Sequence, residues 1–594
     1  MASSSSSSTS SAYHSFKVRL AIDVIKEHFG PLVAEVASLL LRSDNLTLVA
    51  IYKYFKQHAH EITFISASTS SIEPIDDPSI VRNCLLILRR HNILIIDYKP
   101  FYSMEDSTDE KLRERNEQSK TLHYSIDVDM TINRLRFPRV LLIARELVGS
   151  LGLTVLEELL VGGQSSLKTL VKIVHELIIS QPDHSDEIIQ LKALPEPDLN
   201  IKIEDTVRSL LHQRLIMEVP LLATGPVIIY PPEKEKKKKA GSGGDDSKRS
   251  KKKIKLDHQQ QGEHEVIIGT IDGKKESDGN ASNGRLVITQ QKSSTWEIKH
   301  DVLYMINFEE VFRRMQYKAI VTLATQRVGK EGGKIVEVIL NESLKYQGVQ
   351  ANQEEYSRSI TWKDLVGLIS VKGILSEHEL KPSKASEVLT EAINDLERDA
   401  VGLISKTTSA EGDLAVHINV RSIVTFLQRK VKHSIAVERY GKWSGRIVEL
   451  LERHSYLDQQ AIGEMAIIPA RDARERLYTM YRDKWVDYVE ICKRNDYNPS
   501  STYYFWFLDR LKLDVALQES LYKSILNLRK RRVHELEGDG SWSKSVAAAM
   551  MLAGSGMNES LEKQKDMEKL NFALDRIDHA VIQADFTAIV LGCF

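Results

Sequence analysis

The chain has 594 residues, 42% of them hydrophobic and 27% charged, with 81 Lys and Arg against 82 Asp and Glu for a formal net charge of −1. That length suits roughly four domains of about 100–200 residues each, and the composition is that of a packed globular protein, neither fibrous nor disordered. A charge near zero excludes the broad positive field that drives an autonomous nucleic-acid binder onto phosphate, so any affinity for DNA must come from local patches.

Residues 1–15 read as a serine-rich polar tail, without the basic and apolar regions of a signal peptide. Residues 16–130 read as a first module. A helix is expected over 18–29, with Leu20, Ile22, Val24, Ile25 and Phe29 mostly on one face and Gly30-Pro31 as its break. Helices over 32–41 and 48–55 follow, with Thr47 as a cap. Pro78 suits the first turn of a last helix that runs almost directly into a β-branched strand at 93–98. The charged, aperiodic stretch 103–120 is expected as a long wing tip, and 123–128 as the returning strand.

The second module, 131–230, opens on RLRFPR at 134–139, with helices expected over 140–147, 151–160, 167–179 and 203–215 and a wing strand at 227–230. Residues 231–295 form a basic linker too poor in apolar side chains to order itself. The third module, 296–422, takes 302–328 as a long helix, then helices over 335–344, 362–370 and 384–398 and a hairpin over 401–420 that turns at Glu411-Gly412-Asp413. The fourth, 423–508, has helices over 423–438, 445–454, 458–465 and 469–483. A hairpin of strands 485–492 and 502–507 completes it, with a turn around Asn495-Asp496 and Pro499.

Helix running into hairpin, four times over, is the sequence shape of a winged helix-turn-helix. In residues 509–594 the pattern changes to heptad-like stripes. Leu508, Leu511, Val515, Tyr522 and Ile525 form one; Met567, Leu570, Leu574, Ile577, Val581 and Ala584 form the other, around a Gly- and Ser-rich tip at 538–556. The expected fold is therefore mainly α with small β hairpins: four tandem extended winged-helix domains followed by a C-terminal antiparallel coiled coil.

No catalytic motif is met in full. RVGKEGGK at 327–334 lacks the spacing and the hydroxyl residue of a phosphate loop. His58 and His60 have no second ligand pair at zinc spacing, His175 and Glu176 lack the HExxH pattern, and Cys84, Cys492 and Cys593 make neither a zinc motif nor a disulfide framework. No catalytic, cofactor-binding or metal residue is expected. Sparse cysteine points to a reducing compartment, and no run reaches the roughly 18 apolar residues that span a bilayer.

Basic residues on the last helices remain. Arg82, Arg89 and Arg90 share roughly one face, and Arg471, Arg474 and Arg476 crowd a helix start where winged helices contact phosphate. Both sets are candidate DNA contacts; a solvated face or a protein–protein rim is the competing reading, favoured by the neighbouring Asp472, Glu475 and Asp483. The third module's helix carries Glu387, Glu391, Asp395, Glu397 and Asp399, and is expected to face away from DNA. Lys236, Lys237, Lys238 and Lys239 with Lys251, Lys252 and Lys253 suit a nuclear-import signal, a phosphate tether or a solubilising linker. Trp362, Trp443, Trp485 and Trp506 are expected in cores.

Several segments, taken in order, resemble one family. FPR at 137–139, EELLVGGQ at 157–164, YKAIVTLATQRV at 317–328, AIIPARDARERLYTMY at 466–481, NPSSTYYFW at 498–506 and LYKSILNLRKRR at 521–532 are similar to the third-largest specific subunit of eukaryotic RNA polymerase III, related in role to transcription factor IIE alpha. The resemblance spans nearly the whole chain. It implies a non-catalytic nuclear subunit, in a subcomplex with two smaller partners on the clamp of the largest subunit, that aids promoter opening for transfer RNA, 5S ribosomal RNA and other small RNAs. Promoter DNA would be met weakly or indirectly. The alternatives from the residues alone are an independent winged-helix DNA-binding regulator and a protein-binding scaffold.

Overall fold

The computed structural model describes residues 15–43, 45–58, 64–65, 72–73, 78–100, 120–180, 190–192, 194–220, 302–344, 355–371, 382–408, 414–492, 502–537 and 561–594. The strand expected at 227–230, the basic linker with its lysines, the turns at 411–413 and 495–499 and the tip at 538–556 lie outside the described residues, as do nearly all of the N-terminal tail and of the first wing tip.

Two helices joined at a single glycine open each of four successive groups. Phe16–Phe29 meets Pro31–Arg42 at Gly30, Phe137–Gly162 breaks at Gly149, Phe308–Val328 meets Lys330–Leu344 at Gly329, and Val420–Tyr440 meets Lys442–Arg453 at Gly441. The four glycines have φ of 89°, 83°, 106° and 90°, a region closed to most side chains, and this lets the chain turn between helices in one residue. Close packing inside the corners uses small residues too: a Cβ on Gly445 would lie 2.5 Å from a Val437 methyl.

After each corner the order is again constant. A short strand or bridge comes first: Leu46 against Tyr124, then Ser165–Ser166, Ile360–Thr361 and Leu457–Asp458. Next come Leu48–Gln57, Leu167–Ser180, Trp362–Val371 and Gln459–Ala466, then the last helices Pro78–Arg90, Glu196–His212, Pro382–Arg398 and Ala470–Arg482. The hairpins are Leu94–Pro100 with Lys120–Ile126, Ile216–Glu218 with Leu303–Ile306, Ile404–Thr408 with Leu414–Ile418, and Asp487–Cys492 with Thr502–Phe507. In all four sheets the returning strand lies in the middle, between the outgoing strand and the short one. A further pair, Phe64–Ile65 with Ile72–Glu73, was not foreseen from the sequence.

One expectation fails at the second group. Residues 302–306 were read as the start of a long helix in a module beginning at 296, yet Leu303–Ile306 is a strand paired on both sides, to Ile216–Glu218 and to Ser165–Ser166. The helix begins at Phe308, where Asn307 caps it by accepting from the Glu310 amide. Buried Tyr304 and Ile306 alternate with more exposed neighbours, a period of two masked in the sequence by the helical run that follows. The basic stretch 221–301 thus interrupts one hairpin.

Each group has its own core, and two long helices tie them together. Arg510–Glu537 and Leu561–Gly592 lie antiparallel: Arg532 Nε is 3.0 Å from Asp578 Oδ1 at one end, and Gln518 Nε2 donates to the Leu591 carbonyl at 3.4 Å near the other. Leu513 and Leu517 fill the core of the fourth group, while Tyr522, Ile525 and Leu526 meet Leu20 and Val24 of the first helix. The stripe expected through Leu511 and Val515 instead points outward, at 81% and 63% exposure. Two residues along a helix is about 200° around it, so seating Leu513 and Leu517 inward turns that pair away. The last helix ends where cores converge, with Ile589 in the second, Leu591 in the fourth and Phe594 against the second and third.

Candidate partner and nucleic-acid interface

The Ala470–Arg482 helix is amphipathic by simple spacing. Ala473, Leu477 and Met480 face the core, each buried side chain of Leu or Met size contributing about 1.5–3 kcal/mol. Arg471, Arg474 and Tyr478 follow at i, i+3 and i+7 on an outer face, all exposed. The turn ahead of the helix is fixed by Ile467 in a left-handed conformation (φ 55°), which leaves Ile467 itself in solvent.

Opposite this helix stands the hairpin. Register places Tyr488 against Trp506, Glu490 against Tyr504 and Cys492 against Thr502, so these six share one face. Trp506 is buried beneath Tyr478, Tyr481 and Tyr488 at ring separations of 5.6, 6.2 and 5.4 Å. Between helix and hairpin opens a cleft of about 930 Å³, walled by Arg474 and Tyr478 on one side and by Tyr488, Glu490 and Tyr504 on the other. Asp458 and Glu464 reach it from the preceding helix. The nearby oxygen of Tyr481, then burial, then Glu490 raise the Tyr488 phenol above its ordinary pKa.

Of the six arginines expected at DNA, Arg90 and Arg476 are engaged by backbone carbonyls, although Arg90 stays exposed. Arg471 and Arg474 are exposed, and so is Arg82; Arg89 is half-buried. Arg476 instead donates to the Tyr440 carbonyl at 3.0 Å, closing the end of the Val420–Tyr440 helix, while the Tyr440 hydroxyl donates to Asp483 Oδ2 at 2.7 Å. Burial first and that bond second raise the Tyr440 pKa, and the bond lowers that of Asp483. Arg90 Nε donates to the Gly162 carbonyl at 2.9 Å, joining the first group to the second. Both read as surface positions by helical spacing; a carbonyl at a helix end claims each.

The acidic face of the third last helix is partly neutralised in place. Asp399 pairs with Arg327 at 2.6 Å and Glu397 with Lys406 at 2.6 Å, leaving Glu391 and Asp395 exposed. On the first last helix, exposed Leu86 and Ile87 flank the basic residues, a mixed surface better suited to protein than to phosphate. Among the described residues no cluster of His, Cys, Asp and Glu could hold a metal ion, and no helix is long and apolar enough to cross a membrane. The import-like lysines, Lys236 to Lys239 and Lys251 to Lys253, lie outside the described residues.

Two motifs singled out in the sequence turn out to be joints. In RLRFPR, Arg136 is buried against Asp585 of the last helix, donates to Asn133 Oδ1 at 2.8 Å and lies over the Phe312 ring at 5.0 Å. Arg139 donates to the Ile582 carbonyl at 2.6 Å and covers Phe586. Arg134 lies between the Phe29 and Phe137 rings and donates to His91 Nδ1 and His28 Nδ1, each at 3.4 Å. In EELLVGGQ, Gly163 (φ 79°) lies directly against the Arg90 carbonyl and His91, and Gln164 donates to Asn92 Oδ1 at 2.5 Å. Basic motifs can be interior glue when their partners are carboxylates and rings hundreds of residues away.

Comparison with known proteins agrees with this geometry. Residues 433–508 match the family described as the C-terminal winged-helix domain of POLR3C, the stretch that holds the cleft. The chain is 21% identical over 603 residues to DNA-directed RNA polymerase III subunit RPC3 of Danio rerio, covering 97% of this chain and 98% of the relative. The Homo sapiens protein of the same name is 21% identical with the same coverage. That of Dictyostelium discoideum is 23% identical over 250 residues, 40% of this chain and 35% of the relative.

Proposed function

We propose that this chain is a non-catalytic subunit of DNA-directed RNA polymerase III, the counterpart of the relatives named RPC3. The end-to-end match, 97% of this chain on 98% of the vertebrate relatives, carries the reading. The repeated glycine corners and the constant strand order support four tandem winged-helix domains, with the second reaching across the basic linker to include Leu303–Ile306. The two long antiparallel helices support a coiled-coil hairpin at their end.

In this reading the modules dock on other polymerase subunits, two smaller ones and the clamp of the largest among them, and work in the nucleus to aid promoter opening for transfer RNA, 5S ribosomal RNA and other small RNAs. Arg82, Arg471 and Arg474, exposed on the surface, with half-buried Arg89, guide DNA electrostatically and without sequence readout. The balanced charge and the mixed apolar and basic faces favour this over an independent DNA-binding regulator.

Purification of the tagged chain from nuclear extract tests the proposal. Recovery of the large polymerase III subunits is expected under gentle salt; their absence, or capture of a degradation or translation complex in their place, favours a scaffold of another kind.

A further inference from the structure

The cleft in residues 457–506 has a role not required by the polymerase reading, which uses only the outer arginines. Its walls are aromatic: Tyr478 and Tyr504 are 57% and 39% exposed, and Tyr488 stands on buried Trp506. Among the described residues that line it the charge is acidic, since Asp458, Glu464 and Glu490 face one guanidinium, Arg474. Asp458 is held as a helix cap and Glu464 accepts from Gln460, whereas Glu490 has no ion pair among the described residues.

Arg474 belongs to the helix wall. The hairpin wall carries Glu490 directly opposite Tyr504, and cross-strand partners on one face have Cβ atoms about 4.5–5.5 Å apart. A carboxylate beside a tyrosine face repels phosphate. The same pair attracts a cation twice, through its charge and through the ring quadrupole. Rings also fit nucleic-acid bases, but three carboxylates oppose the backbone that would bring bases there.

We propose that this cleft docks a segment of a protein partner that carries lysine or arginine, with the cationic side chain over Tyr504 and Tyr488 and Glu490 as its counter-ion.

The test uses the full chain and a fluorescein-labelled peptide of alternating Arg and Ser, with fluorescein-labelled single-stranded oligo-dT titrated separately as a second probe. Saturable peptide binding is expected, with Glu490→Gln and Tyr504→Ala each weakening it about five-fold or more. Tyr504→Phe, which keeps ring and fold, retains it. Glu391→Gln on the distant acidic helix leaves it unchanged. Loss of binding in Glu391→Gln equal to that in Glu490→Gln, indifference to Tyr504→Ala, oligo-dT binding that Tyr504→Ala weakens as much as it weakens peptide binding, or no saturable peptide binding at all overturns the proposal. Recovery or loss of polymerase subunits in the purification above is a separate readout.

Discussion

Arg136 Nε lies 3.1 Å from Asp585 Oδ1, across 449 residues of sequence, with both side chains 4% exposed. Burial lowers the arginine's pKa, but Asp585, together with Cys593 and Tyr522, outweighs it and the net shift is upward. The pair seats the last helix against the start of the second group.

Breaking this pair one side at a time leaves a buried charge without its counter-ion. Asp585→Leu and Arg136→Met are each expected to cost about 3–5 kcal/mol, while the two changes together cost distinctly less than the sum. Urea unfolding of the four proteins measures it, and strict additivity would contradict the account.

Gly163→Ala is expected to destabilise the joint between the first two groups. The residue has a positive φ, worth about 1–3 kcal/mol of strain to another side chain, and its new Cβ would lie 2.7 Å from His91 Nδ1. Limited proteolysis should then cut between the groups before the global transition; an unchanged digestion pattern counts against it.

His91 supplies a pH dependence. Burial first, then Arg134, Arg90 and His28, lower its pKa from the usual 6.5 to about 4, and burial followed by Arg134 lowers that of His28. Both rings accept from Arg134, so the folded state holds them neutral while the unfolded chain takes up protons first. Stability from this cluster is full above about pH 6.5 and falls as the pH drops towards about 4. The slope of Tm against pH across that window should flatten in His91→Gln, and an equal slope would remove His91 from the effect.

The arginines divide by what they touch. Arg476→Ala removes the donor at the Tyr440 carbonyl and is expected to cost about 1–3 kcal/mol. Arg471→Glu with Arg474→Glu should leave Tm almost unchanged and weaken promoter opening in a reconstituted polymerase without releasing the chain. Dissociation of the doubly substituted chain would make these residues interface instead.

Helices and hairpins were legible because apolar spacing dictates them locally: the expected strand at 502–507 coincides with Thr502–Phe507, and Thr47 caps its helix by accepting from the Ala50 amide. Leu303–Ile306 was lost because four residues alternate too briefly to outweigh the helix behind them. The engagement of Arg90, Arg136 and Arg476 was not legible, since a basic side chain carries no sign of a distant carbonyl or carboxylate. The signal that marks the break at Gly30, glycine between two apolar-periodic helices, is repeated at Gly149, Gly329 and Gly441 and was usable there too. The cleft had a partial signal as well, in the spacing of Arg471, Arg474 and Tyr478.

The seat of the first helix on the long C-terminal pair has a cost in time. Asp23 and Glu27 are held by Arg529, with Glu27 and Arg529 separated by 502 residues. A ribosome adding about 5–20 residues per second needs roughly 25–100 s to make the second partner after the first. Throughout that interval Leu20 and Val24, fully buried in the finished protein, have no Ile525 or Leu526 to cover them. The nascent chain therefore carries an apolar helix face that is only partly covered for most of its synthesis.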